Sequence, residues 1–217
     1  MNKKIILFVL CAVLSVFAVT FDTVGGTEIE QQVIDEGSLA NRPENDPEKN
    51  GYAFDGWNFN FDKPITENVT VRASWQRVFN VSGNTITGLN PYCNKIEKIV
   101  IPNSIDGVEI TKISAYAFEG VQKITSVVIQ EGITTIGDVA FYGCTSLTSI
   151  EIPSSVTSIG ETAFFGCEKL ESVIFSENAT WIVDDQLGSV VEIDVSNASL
   201  NVIYLTEEFY NCQWYKK

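Results

Sequence analysis

The pairs Ala117-Phe118, Ala140-Phe141 and Ala163-Phe164 recur at steps of 23 residues, and that spacing constrains the fold more than any other feature of the chain. The same step relates Ile113, Ile136 and Ile159; Ile124, Leu147 and Leu170; Val127, Ile150 and Val173; and Gly120, Gly143 and Gly166. A fixed period of this length belongs to stacked-coil architectures, in which no unit buries its apolar face alone and each shields the next. Carried backwards, the register aligns Cys93, Ile96 and Ile99 with Cys144, Leu147 and Ile150, allowing a five-residue insertion around Ile105-Asp106-Gly107-Val108. The expected array holds about four coils between residues 77 and 175.

Each unit pairs a short alternating strand, such as Leu147 to Ile152, with a second apolar pair, such as Val156 and Ile159, before a glycine and an Ala-Phe turn. Pro102 and Pro153 mark strand exits, because proline cannot donate to a neighbouring coil. Alternation sends Ile99, Val127, Ile150 and Val173 inward as one column and leaves Val100, Val128, Glu151 and Ile174 outward. The adjoining outward column reads Lys98, Ser126, Ser149 and Ser172. Three apolar residues in one outward column are unusual on a solvated face and point to a binding strip. The competing expectation is that the first module or the cap covers them.

Ser149 to Leu170 carries Ile-Pro, Val-Thr-x-Ile-Gly, Ala-Phe and Gly-Cys-x-x-Leu almost unbroken, and in this it resembles the BspA-type leucine-rich repeat. The resemblance spans roughly residues 80 to 175 and implies a curved solenoid on an exported or surface-exposed protein, often linked to adhesion to host proteins or other cells.

Upstream, Val19 to Asp22 alternates, Gly25-Gly26 signals a turn, and a second strand candidate runs from Ile29 to Ile34. A proline-containing loop precedes Tyr52-Ala53-Phe54-Asp55-Gly56-Trp57, whose aromatics, together with Trp75, are expected to fill the core of so small a module. Val-Thr-Phe-Asp, Gly-Gly-Thr, Gly-Tyr-Ala-Phe-Asp-Gly-Trp and Val-Thr-Val-Arg-Ala-Ser-Trp together are similar to the Listeria-Bacteroides repeat. That resemblance implies a compact β-grasp-like fold found on bacterial surface proteins. The chain therefore reads as mainly β: a β-grasp-like module at 19–76, a leucine-rich-repeat solenoid at 77–175 and a cap at 176–217. In the cap, Val191, Ile193 and Val195 suggest a final strand, and Phe209, Tyr210, Trp214 and Tyr215 are expected to cover the open end. Asn80 to Leu89 is expected to close the other end.

Ahead of these lie Lys3 and Lys4 and an apolar run from Ile5 to Val19, short of the about 20 residues a membrane-spanning helix needs and suited to a secretory leader. Val16 and Ala18 supply small residues for a cut after Ala18, giving a leader at 1–18, a secreted or cell-surface location and no membrane insertion of the mature chain. The alternative is an uncleaved anchor.

Catalytic chemistry is poorly supplied. There is no histidine, which removes the usual general base and the His-based triads. Lys+Arg 14 against Asp+Glu 28 leaves a net charge of −14, which repels nucleic acid and anionic lipid headgroups and leaves basic protein surfaces as partners. Asp184-Asp185 and Glu207-Glu208 are adjacent pairs whose side chains diverge on a strand, unlike the facing carboxylates of a glycosidase. No cofactor or metal set is recognisable. Cys93, Cys144 and Cys167 share one repeat position, with Val121 in that slot of the second coil, and read as buried thiols, a disulfide or a reactive thiol. The sequons at Asn68, Asn80, Asn178 and Asn197 matter only in a eukaryotic secretory pathway.

The expected function is a non-enzymatic, exported protein that binds a protein or cell-surface ligand through Lys98, Val100, Val128, Glu151 and Ile174. The alternative is an envelope component that assembles with copies of itself.

Overall fold

A computed structural model describes residues 15–93, 96–177, 179–184 and 190–217. Residues 1–14, which carry most of the expected leader, and Asn178 and Asp185 lie outside the described set. Contacts divide the chain into two compact units: one from the described residues up to Lys49 with Phe54–Trp75, the other from Asn50–Ala53 and Gln76–Lys217.

The first unit is a four-stranded mixed sheet. Its strands are β1 (Val16–Asp22), β2 (Gln32–Asp35), β3 (Tyr52–Trp57) and β4 (Val69–Arg77), in the order β2-β1-β4-β3. β1 runs antiparallel to β2 and parallel to β4. Val19, Phe21, Ile65 and Val71 are buried in its core, with Phe17, Ile34 and Trp57 packed partly buried against them. The expectation that Phe54, Trp57 and Trp75 fill the core is met only halfway, since each keeps partial exposure. They meet edge to face instead, Phe54 lying 5.2 Å from Trp57 and 5.6 Å from Trp75, as the ring quadrupoles favour. Trp75 leaves no room at Gly26, where a Cβ would come within 2.5 Å of its ring.

The second unit stacks the repeats. A hairpin of β5 (Phe79–Ser82) and β6 (Thr85–Leu89) opens it. Next come β7 (Lys98–Ile101), β8 (Ser104–Ile105), β9 (Val108–Glu109) and β10 (Lys112–Ile113). The expected insertion is the β8–β9 hairpin, turned by Asp106 and Gly107 at φ of 52° and 78°, the left-handed pair that a two-residue hairpin loop requires. The later coils contribute β11 (Ser126–Ile129), β12 (Thr135–Ile136), β13 (Ser149–Ile152), β14 (Ser158–Ile159) and β15 (Ser172–Phe175). β7 and β13 end one residue before Pro102 and Pro153.

Two parallel ladders result. In the first, of order β15-β13-β11-β7, Ile99, Val127, Ile150 and Val173 are paired in register and buried. In the second, Ile86, Ile113, Ile136 and Ile159 do the same through β6, β10, β12 and β14. Between the ladders Phe118, Phe141 and Phe164 are fully buried and stacked nearly parallel. Threonine hydroxyls tie the coils together on both sides: Thr134 donates to the Thr111 carbonyl, Thr157 to that of Thr134, and Thr148 to that of Thr125.

The chain closes with β16 (Trp181–Asp184), β17 (Val190–Ile193), a short helix α1 (Ala198–Ile203) and β18 (Gln213–Lys216). β18 adds antiparallel to β14, and β16 and β17 follow it outward. This segment imitates a further coil. The Tyr116 and Val139 amides donate to Asp138 and Glu161 of the coil after them, and the Thr162 amide donates to the Tyr210 carbonyl in the same way. At the β15 edge the fully buried Asn201 donates its amide to the Val173 and Val195 carbonyls, each at 2.9 Å. Such contacts satisfy backbone groups that a bare solenoid end would leave unpaired.

Candidate protein-binding face

All five residues singled out from the pattern fall on one face of the first ladder. Val100 pairs with Val128, Val128 with Glu151, and Glu151 with Ile174. Alternation within each strand turns these side chains away from the core, and Val100, Val128 and Ile174 remain 51%, 48% and 49% exposed. The described residues of the C-terminal segment leave them in this half-exposed state. Lys98 lies two positions before Val100 on β7 and pairs with Ser126, beginning the polar column of Ser126, Ser149 and Ser172. Glu151 interrupts the apolar strip and accepts a hydrogen bond from Ser176 at 2.8 Å, so the face combines branched aliphatic contacts with one carboxylate and one ammonium. Where β7 and β11 begin, Glu97, Gln122, Lys123, Thr125 and Ser146 line an open hollow of about 440 Å³.

A second, partly exposed row escaped the sequence reading. The residues that follow the buried phenylalanines are Glu119, Tyr142 and Phe165. Tyr142 stacks on Phe165 at 5.7 Å, and Tyr210 extends the row at 4.5 Å. The 23-residue step was its only signal. Because these rings lie largely against one another, they complete the stack more than they offer free platforms.

The cysteine slot is now explained. Cys93, Cys144 and Cys167 are free thiols, and all three are buried, as is Cys212. Cys144 donates its thiol hydrogen to the Phe118 carbonyl and Cys167 to that of Phe141, each at 3.2 Å, while Cys93 reaches the Arg77 carbonyl at 3.3 Å. Burial pushes the Cys144 and Cys167 thiols up to about 12, so they are neutral donors at physiological pH and poor nucleophiles.

Asp184 is exposed at the end of β16, and Glu207 and Glu208 are exposed on the wider helical turn that follows α1. Among the described residues no cluster of three or more metal-ligating side chains occurs, and no helix is long and apolar enough to cross a membrane.

Comparison with known proteins agrees with this anatomy. Residues 90–216, more than half the chain, match the BspA type leucine rich repeat region in six copies, and residues 17–74 match the Listeria-Bacteroides repeat domain. No curated protein matches the chain. Among solved structures it is similar to the Treponema pallidum (T. pallidum) leucine rich repeat protein, with 31% identity over 43% of this chain and 42% of that one and a TM-score of 0.40. It is also similar to a leucine rich cell surface protein of Faecalibacterium prausnitzii A2-165, with 32% identity over 45% of this chain and 27% of that one and a TM-score of 0.38. The pneumococcal vaccine antigen PcpA shares 21% identity over 48% of this chain and 36% of its own, with a TM-score of 0.32. The chain thus spans less than half the length of each of these proteins. With the repeat region and the preceding domain both matched, this chain belongs to the BspA-type leucine-rich-repeat family and carries a Listeria-Bacteroides repeat domain ahead of its repeats.

Proposed function

We propose that the chain is an exported, non-enzymatic binding protein whose first parallel ladder docks a protein or cell-surface partner. The observation that carries this reading is the column of Val100, Val128 and Ile174, held in register by the strands and about half exposed. An ordered aliphatic strip flanked by Lys98 and Glu151 is the kind of surface whose burial drives association. The net charge of −14 favours a basic partner surface. In this reading the N-terminal apolar segment acts as a leader, the module up to residue 76 forms a β-grasp-like spacer or second contact, 77–175 form the solenoid and 176–217 its cap, on a protein released from or held at a bacterial surface.

Alanine replacement of Val100, Val128 and Ile174 together tests the face. Mature protein and the triple variant are presented to immobilised host extracellular proteins and bacterial envelope fractions. The expected result is at least a tenfold loss of affinity, about 1.4 kcal/mol, with an unchanged circular-dichroism spectrum. Equal affinity moves the contact elsewhere. Concentration-dependent oligomers formed by the purified protein alone would favour a self-assembling envelope role instead.

A further inference from the structure

The spacing of small residues favours a cut after Ala18, yet the structure places Val16, Phe17 and Ala18 inside β1. These residues supply three of the four β1–β2 pairs, Val16 with Asp35, Phe17 with Ile34 and Ala18 with Val33. Phe17 packs against the buried core of the first unit, and the Ala18 amide donates to the Asn68 side chain at 2.8 Å. A cut after Ala18 removes all of this. It also leaves the new α-ammonium on Val19, which is fully buried and paired with both β2 and β4, a poor place for an unpaired charge.

The bond three residues upstream satisfies both the peptidase and the fold. Val13 and Ser15 provide small residues at the −3 and −1 positions, and Ile5 to Leu14 remains long enough for a leader's apolar core. We propose that a signal peptidase releases the mature chain by hydrolysing the Ser15–Val16 amide bond. Water adds its hydroxyl to the Ser15 carbonyl carbon and its protons pass to the departing Val16 nitrogen, so that Ser15 leaves as a carboxylate and Val16 begins the mature chain as an ammonium. The register then sets that ammonium opposite Asp35 and beside Glu36, whose amide bonds to the Ser15 carbonyl at 2.8 Å. Val16 thereby keeps its pairing with Asp35, and β1 keeps its whole length. The inference rests on the reading of the N-terminal segment as a leader.

The test is to express the full chain in a secreting bacterium and determine the N-terminus of the exported protein by terminal sequencing and intact mass. The expected first residue is Val16. An N-terminus at Val19 overturns the inference and leaves the leader reading standing, whereas exported protein that retains Met1 overturns both. Ala18→Leu is expected to leave the Val16 start unchanged, and Ser15→Leu to abolish it; persistence of the Val16 start in Ser15→Leu protein overturns the assignment. Chains made to begin at Val16 or at Val19 provide an independent readout. The shorter one is expected to unfold several degrees lower, and equal midpoints would remove the structural ground.

Discussion

The rings of Phe141 and Phe164 lie 5.4 Å apart and only 4° from parallel, each fully buried at the same place in successive coils. Phe118 extends the stack at 5.0 Å. Replacing the middle ring therefore opens a void against two coils at once. Phe141→Ala is expected to cost about 4 kcal/mol, the middle of the range for buried phenylalanine, and to exceed the loss from Phe79→Ala at the end of the row, where Phe118 is a ring neighbour at 6.3 Å. Urea unfolding of the two variants checks the order.

Gly160 is required by the approach of the preceding coil. A Cβ there would come within 2.3 Å of the Asp138 amide nitrogen, and one at Gly137 within 2.4 Å of the Ala115 nitrogen. Gly160→Ala is expected to destabilise the solenoid by about 2 kcal/mol through overpacking. Thermal unfolding of Gly160→Ala protein should show a clear drop in midpoint; an unchanged midpoint would mean that the coils spread at little cost.

The thiols offer a chemical test. Burial raises Cys93, Cys144 and Cys167, the latter two to about 12, so iodoacetamide at neutral pH should leave native protein nearly unmodified. Full alkylation is expected only after unfolding, without reductant. Modification of the native state would show that the coils open locally far more often than the packing indicates.

Acid should loosen one link between coils. Burial raises the Glu131 carboxyl, but hydrogen bonds from Ser154 and Ser155 outweigh it and hold the group below the usual carboxylate range. The carboxylate accepts from the Ser154 and Ser155 amides at 2.8 and 2.9 Å and from the Ser154 hydroxyl at 2.9 Å. A folded value below the unfolded one means that the stabilisation is present above the unfolded pKa and is lost as pH falls through the folded pKa. Because Glu131 is exposed, solvent screening limits the effect to a fraction of about 1 kcal/mol. Glu131→Gln is expected to flatten the acid limb of a stability-versus-pH curve and leave its neutral plateau slightly lower.

Much of the solenoid was legible because the 23-residue step exposes it directly. Ile99, Val127, Ile150 and Val173 stack as the alternation requires, and the same alternation sends Val100, Val128 and Ile174 outward. Features that depend on distant partners were not legible. Ala198–Ile203 is too short to signal a helix by periodicity, and it is secured by the Asn197 side chain, which accepts from the Ser199 and Leu200 amides, and by Asn201 reaching Val173. Asn197 stood out in the sequence as a sequon, whereas its role as a cap rests on the backbone amides that its side-chain oxygen accepts from, which the sequence alone does not display. Likewise, nothing local announces that Trp214 and Tyr215 pair with Ile159 and Ser158. The half-exposure of Phe54, Trp57 and Trp75 escaped because aromatic content shows how much area a module has to bury, not which edges stay in contact with water.

The final coil is received by main-chain groups: β18 pairs with Ser158 and Ile159, Lys216 donates its amide to the Thr157 carbonyl, and Tyr210 accepts from Thr162. Those atoms are common to every unit, whatever its side chains. A lineage can therefore lengthen or shorten the array by gaining or losing units of the same period and keep the same terminal stopper, so that reach evolves by copy number while the machinery that ends the stack stays unchanged.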